Sequence, residues 1–430
     1  MQQLTQQLRS GEVTIQELPW PYVGRGMVLV RNYYSVVSAG TEGSTVQTAR
    51  KSLIGKARER PQQVKQVLDV LKKQGFVQTY RAVMKKLDAH SPLGYSSAGE
   101  VLEVGSEVTG IRPGDRVACA GSHAEIVCVP ENLCVRLPLD ADLMFASYNT
   151  LGAIALQGIR QADLRIGESC AVIGLGLLGQ LACLMLRASG VRTFGIDVNR
   201  FVVELARKHA CDHTWCRSEA GIASQIFDLT GGVGVDAVVI TAGTSSLDPI
   251  NFAGEIARKK GRVVVVGAVP TGFDREPHWY KKELELRMSC SYGPGRYDPN
   301  YEEKGIDYPA AYVRWTEKRN MQAFQELVHS GRIDLGYLTT HELPLEEAPK
   351  AYDMIVSRSE PFLGIVLKYD VRKPTARAKV DIRPVRPEAK VGIAFVGAGS
   401  YAQGNLLPNL PSQNGELSLV GVMTNSGTTR

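Results

Sequence analysis

No stretch of the 430 residues reaches the eighteen or so consecutive apolar residues a membrane helix needs, so no membrane span or membrane partner is expected. The opening ten residues are polar and lack the apolar core of a signal peptide. Cysteine is scarce and scattered. The eight cysteines include no C-x-x-C pair, which excludes a disulfide framework and reads as reduced thiols of a cytoplasmic protein. Neither sign of charge dominates: the net charge of +6 does not by itself imply nucleic acid. What remains, 44% apolar and 22% charged, is an ordinary globular composition, long enough for two to three domains.

What the chain does have is a glycine turn in the right surroundings. A short apolar strand from Cys170 runs into Gly174, Gly176 and Gly179, the G-x-G-x-x-G spacing, and then into a stretch with helical apolar spacing. In a dinucleotide site Gly174 permits the tight turn, Gly176 admits the pyrophosphate, and Gly179 lets the helix sit close to the strand. Leu177 and Leu178 open the helix, whose first N–H groups and positive dipole end suit phosphate. A second strand, from Arg192, ends in Asp197, about twenty residues on, where an acid binds the ribose 2′-hydroxyl. Asp197 favours NAD over NADP, and nearby Arg200 softens that preference.

Residues 1–40 read as short strands and turns, and 92–138 return to β structure. Between them, 46–88 has the apolar spacing of an inserted helical hairpin, rich in lysine and arginine. That charge is either a solvated helix face or a positive rim attracting an anionic substrate; no nucleic-acid motif accompanies it. From about 143 helices and strands alternate, which implies a parallel sheet covered on both faces. Ala242 and Gly267 follow two of those strands as small residues, as expected where a cofactor crosses the carboxyl edge. Tyr292, Arg296 and Tyr297 on a Gly/Pro loop either grip a substrate or order the loop. A helix is expected around Met321–His329 and a last strand at 364–368. Residues 371–390 read as a linker, and from Val391 the strand and glycine turn recur with Gly397, Gly399 and Ala402. Leu417–Met423 supplies a second strand before Arg430, the pattern of a second nucleotide-binding domain cut short.

On Gly114-Asp-Arg-Val117, the glycine turn, Asp197 and the stretch from Leu345 to Tyr352, residues 1–370 resemble the medium-chain dehydrogenase/reductase (zinc alcohol dehydrogenase-like) superfamily. The tail from 391 resembles the start of the Gfo/Idh/MocA oxidoreductases. Together they resemble bi-domain oxidoreductases of polysaccharide-biosynthesis clusters. The implied class is α/β. A GroES-like β unit would span 1–142 with the helical insertion at 46–88, and a Rossmann doubly wound parallel sheet would span 143–290. A return to the GroES-like unit would follow at 291–370, then the linker at 371–390 and a truncated second Rossmann start at 391–430. A homodimer is implied by analogy only.

Members of that superfamily hold a catalytic zinc through a cysteine, a His-Glu pair after a glycine, and a third ligand before the Rossmann unit. The corresponding positions here read Ser38, Gly94-Tyr95-Ser96, and Asn149 or Thr150. Hydroxyls and an amide are poor zinc ligands, so no zinc is expected. Another group must then stabilise the developing alkoxide or move its proton. Tyr95, in the histidine's place, is the candidate donor and Glu42 the candidate relay; His123 and His341 are further proton carriers with no positional argument. The reading is a zinc-independent NAD(P)-dependent oxidoreductase acting on an alcohol or ketone of a sugar-like, anionic small molecule. The alternative is a nucleotide-binding module without turnover that supports a second catalytic domain or partner.

Overall fold

The chain opens on an antiparallel pair, β1 (Gln2–Gln7) and β2 (Val13–Glu17). Next comes the eleven-residue β3 (Met27–Val37), whose run of Val, Leu and Tyr suits a strand covered on both sides. A computed structural model describes residues 1–51, 55, 64, 65, 67, 69, 71, 72, 75–374, 391–397, 399, 401–410 and 417–423. The expected hairpin at 46–88 therefore falls partly outside the described residues. Its described ends are α1 (Thr41–Ala49) and α2 (Phe76–Asp88). The expected linker lies almost wholly outside them.

After α2 come β4 (His90–Pro92), β5 (Ser97–Val104), β6 (Arg116–Cys119), β7 (Ile126–Pro130) and β8 (Cys134–Arg136). β4 joins the first pair, while β3, β5, β6 and β8 pair antiparallel in that order and β7 adds to β3. Cys119 and Cys134 are fully buried on this sheet, whereas Cys128 on β7, also expected in the core from its strand, is half-exposed.

Helix α3 (Leu143–Ala146), N-capped by the Asp142 carboxylate, leads into α4 (Asn149–Ala162). Six strands then alternate with helices: β9 (Ser169–Ile173), α5 (Leu177–Ala188), β10 (Arg192–Asp197), α6 (Arg200–His209), β11 (His213–Cys216), α7 (Ile222–Leu229), β12 (Val235–Ile240), α8 (Asp248–Ile256), β13 (Ala257–Val265), α9 (Tyr280–Lys282) and β14 (Glu285–Met288). They form one parallel sheet in the order β11-β10-β9-β12-β13-β14. Every residue of β9 is buried, which explains its apolar run from Cys170 to Ile173; each such Val or Ile contributes roughly 1.5–3 kcal/mol. The strand order reverses between β9 and β12, so a crevice opens beyond their carboxyl ends, the place where such sheets bind ligands.

Helix α10 (Pro299–Glu302) and α11 (Glu317–His329) follow. α11 begins four residues ahead of the expected Met321, because the Thr316 hydroxyl caps it by accepting from the Arg319 amide. Then β15 (Thr339–Pro344), α12 (Ala348–Ser357) and β16 (Gly364–Lys368) return to the first sheet, with Ile365 of β16 opposite Val37 of β3. The early and late parts of the chain thus complete one seven-stranded sheet. Beyond it, β17 (Val391–Val396) and β18 (Leu417–Met423) pair in parallel as a separate two-stranded sheet with Val396, Leu419 and Met423 well exposed. Among the described residues no helix is long and apolar enough to cross a membrane.

Candidate functional site

The glycine turn sits at the reversal point. Gly174 has φ +100°, a conformation L side chains avoid, and a Cβ there would lie 2.5 Å from the Ala242 amide nitrogen at the end of β12. A Cβ on Gly179 would lie 1.9 Å from the Gly174 carbonyl oxygen, so α5 approaches β9 as closely as backbone allows. Gly176 has nothing within 4 Å of where a side chain would be. It precedes α5 without any side-chain cap, which leaves the first amides of the helix available to an oxyanion. Leu177 and Leu178 are half-buried against the central core. Gly267, past β13, packs on the Ala242 carbonyl, so Gly174, Ala242 and Gly267 line one small-residue rim.

Asp197 ends β10 and accepts from the Leu175 amide at 2.6 Å and the Asn199 amide at 2.7 Å. A carboxylate has acceptor capacity beyond those two bonds, so a ribose hydroxyl can still donate to it. Arg200 is largely exposed and 3.9 Å from Glu219. This cradle fits a dinucleotide by shape and by unpaired donors.

A second group of side chains gathers where β3 and β5 run past their pairing. Ser35 lies opposite Ser97, so Ser38, three residues on, comes beside Tyr95, two residues back. The Tyr95 hydroxyl donates to Ser38 Oγ at 2.6 Å. Burial and the charge of Glu42 push the Tyr95 pKa up against its bonds to Ser38 and Thr41, so the phenol keeps its proton at neutral pH. Tyr95 is half-buried, Ser38 is buried and Thr41 beside them is exposed, so the pair lies just below the surface.

Glu42 lies behind this pair and is buried. It accepts from the Ser38 amide at 2.8 Å, the Gly94 amide at 3.0 Å and the Tyr352 hydroxyl at 2.5 Å, with His123 Nε2 at 3.3 Å. Burial alone would raise its pKa; His123, Tyr352 and the Ser38 amide outweigh that and hold the carboxyl below its usual range. Glu42 therefore brackets the two segments that carry Ser38 and Tyr95. It makes no hydrogen bond to the Tyr95 hydroxyl, and its link to that group runs through the Ser38 backbone. His123 Nδ1 is 2.7 Å from Ser35 Oγ, which is 2.7 Å from the Tyr369 hydroxyl. The sequence offered His123 as a proton carrier without a position for it; the structure puts it directly behind Glu42. His341, by contrast, lies on β15 beside Thr340 and Glu360.

Ser96 Oγ donates to the Ser147 carbonyl and accepts from the Thr150 amide, tying this group to the start of α4. The Thr150 hydroxyl is buried without a partner. Asn149 is occupied, its amide donating to Met321 Sδ and its oxygen accepting from Gln325. These donors do not suit zinc, and among the described residues no group of three or more His, Cys, Asp or Glu could hold a metal ion. In the Gly/Pro loop, Tyr292 is buried with its carbonyl held by Asn320, Arg296 pairs with Glu302, and Tyr297 is exposed. The first two contacts tie the loop to α11 and α10.

Two family models match: "Alcohol dehydrogenase GroES-like domain" over residues 68–139 and "Zinc-binding dehydrogenase" over 178–303. The chain is similar to D-guloside 3-dehydrogenase of Escherichia coli K12, 27% identical over 279 residues, covering 62% of this chain and 74% of that one. It is 26% identical over 300 residues to the probable D-xylulose reductase A of Aspergillus terreus, covering 60% and 77%. The solved alcohol dehydrogenase from Thermus sp. ATN1 shares the fold, with TM-score 0.62 and 20% identity over 86% of this chain and all of that one. The chain is an NAD(P)-dependent oxidoreductase of the alcohol-dehydrogenase-like type. The oxidoreductase has one continuous fold of the medium-chain type, GroES-like unit plus Rossmann unit. The expected Gfo/Idh/MocA unit at 391–430, with its polysaccharide-cluster association, is thereby corrected: the family models and the similar solved structures carry the alcohol-dehydrogenase architecture alone. A strand, a glycine turn and a second strand recur at many Rossmann-type openings, and here the two strands expose their large side chains rather than enclose a core.

Proposed function

We propose that this oxidoreductase works without zinc, prefers NAD to NADP, and interconverts a hydroxyl and a ketone on a sugar-type, anionic small molecule. The observation that carries the reading is the half-buried Tyr95 hydroxyl donating to the buried Ser38 Oγ at 2.6 Å, two residues that the family resemblance aligns with metal-ligand positions. The nicotinamide, when bound, supplies or accepts the hydride. In reduction the Tyr95 hydroxyl turns its hydrogen from Ser38 Oγ to the ketone oxygen and gives it up as the hydride arrives, Ser38 Oγ–H then donates to the phenolate, and solvent returns the proton; in oxidation the same steps run backwards. Glu42 positions both partners through the Ser38 and Gly94 amides. Gly174, Gly176, Leu177, Leu178 and Gly179 would hold the pyrophosphate, Asp197 the ribose, and Ala242 and Gly267 the rim beside it; Arg200 stands near enough to tolerate a 2′-phosphate. The sugar class is supported by the relatives named for D-guloside and D-xylulose. The anionic character is supported by the basic stretch from Arg50 to Lys86.

Tyr95→Phe tests this reading. In ketose reduction with NADH, kcat should fall about 100-fold or more while NADH affinity stays within about twofold. Undiminished turnover would remove Tyr95 from the chemistry.

A further inference from the structure

Leu175, between the first two glycines of the turn, is held at both of its backbone polar groups. Its amide donates to Asp197. Its carbonyl accepts from Gln180 Nε2 at 3.1 Å, and the second Nε2 hydrogen goes to the Val202 carbonyl at 2.9 Å, at the start of α6. Gln180 is fully buried on α5. Its remaining group, Oε1, accepts from the Tyr337 hydroxyl at 3.0 Å. Both amide hydrogens and the carbonyl oxygen of Gln180 are thus engaged, which fixes the orientation of the amide.

Tyr337 does not belong to the nucleotide-binding sheet. It stands between α11 and β15, its ring stacked on His209 of α6 with centroids 4.2 Å apart. It borders a cavity of about 370 Å³ that Leu184, Arg187 and Ile333 also line. Burial raises the pKa of its hydroxyl strongly, so it stays a donor.

We infer that Gln180 and Tyr337 are positioning residues for the dinucleotide. Tyr337 orients the Gln180 amide, Gln180 fixes the Leu175 carbonyl, and the Gly176 amide and the uncapped start of α5 are thereby aimed at the pyrophosphate. The return segment that completes the first sheet also sets the geometry of the nucleotide turn. This rests on the reading that the turn holds the dinucleotide.

The test is fluorescence titration with NADH and steady-state kinetics on the full chain. Gln180→Leu keeps a similar volume and removes three hydrogen bonds, and should raise the NADH Kd and KM about tenfold with kcat at saturating NADH within about twofold. Tyr337→Phe keeps the ring and should raise them about threefold with the same split. If Gln180→Leu does not fold, Tyr337→Phe decides. Unchanged NADH affinity in the folded variants, or a loss confined to kcat, overturns the inference, whatever happens to Tm. Gly176→Val separates the two levels, since a Cβ at this position meets no protein atom within 4 Å. If that variant binds NADH normally, the turn is not the nucleotide site. If it loses NADH while Gln180→Leu and Tyr337→Phe bind normally, only the positioning role fails.

Discussion

At the scale of the residue, two buried carboxyls show how placement sets chemistry. Glu42 has three donors and His123 around it and stays ionised. Glu317, at the start of α11, is equally buried, yet neither of its oxygens has a hydrogen-bond partner. Burial first, then the charge of Glu302, pushes its pKa up to about 8 against the pull of Arg296. In the folded chain Glu317 therefore holds its proton where an unfolded carboxyl, near 4.5, has lost it. Stability should fall as pH rises from that lower value through about 8. Glu317→Gln removes the cost of ionisation. Its Tm should match the wild type near pH 5 and exceed it at pH 8.5; a lower Tm at pH 8.5 would contradict the assignment. None of this was legible in the sequence, because a glutamate at the start of a helix normally points to solvent and favours the dipole. The cluster around Tyr95 was half legible. Ser38 and Tyr95 follow from family position, but His123 and Tyr352 reach Glu42 from 81 and 310 residues away along the chain, as the numbering shows. No local pattern marks such a meeting.

At the scale of the element, the glycine turn was readable because its parts lie within one strand–turn–helix unit and the next strand. Asp197, 22 residues past Leu175, bonds to the turn itself. β15 was not read: its sequence, Thr-Thr-His-Glu-Leu-Pro, is polar and mostly half-exposed, and pairing with β16 rather than burial makes it a strand. The coupling between elements was equally hidden. Ser96 joins the β5 side of the site to α4 with one hydroxyl that both donates and accepts. Ser96→Ala should leave the Ser147 carbonyl and the Thr150 amide without their partner and cost about 1–3 kcal/mol, read as a lower urea midpoint at unchanged m-value. A midpoint equal to that of the wild type would mean the two elements are held together by packing alone.

At the scale of the whole molecule, the fold class was evident from the alternation of strands and helices after residue 143 and from the glycine turn that opens it. How the first sheet closes was not evident from periodicity, since β16 reaches β3 across more than three hundred residues. The tail from 391 misled for the opposite reason: a short local pattern was present without the layers that give it meaning. As a working unit, the molecule is proposed to use Tyr95 and Ser38 rather than zinc to handle the substrate oxygen. The most direct test is ketose reduction with NADH by protein whose metal content is measured on the same sample, before and after exhaustive chelation. Turnover that survives chelation in protein with far less than one zinc per chain is the predicted result. One zinc per chain, with activity lost on its removal and restored on its return, would contradict it.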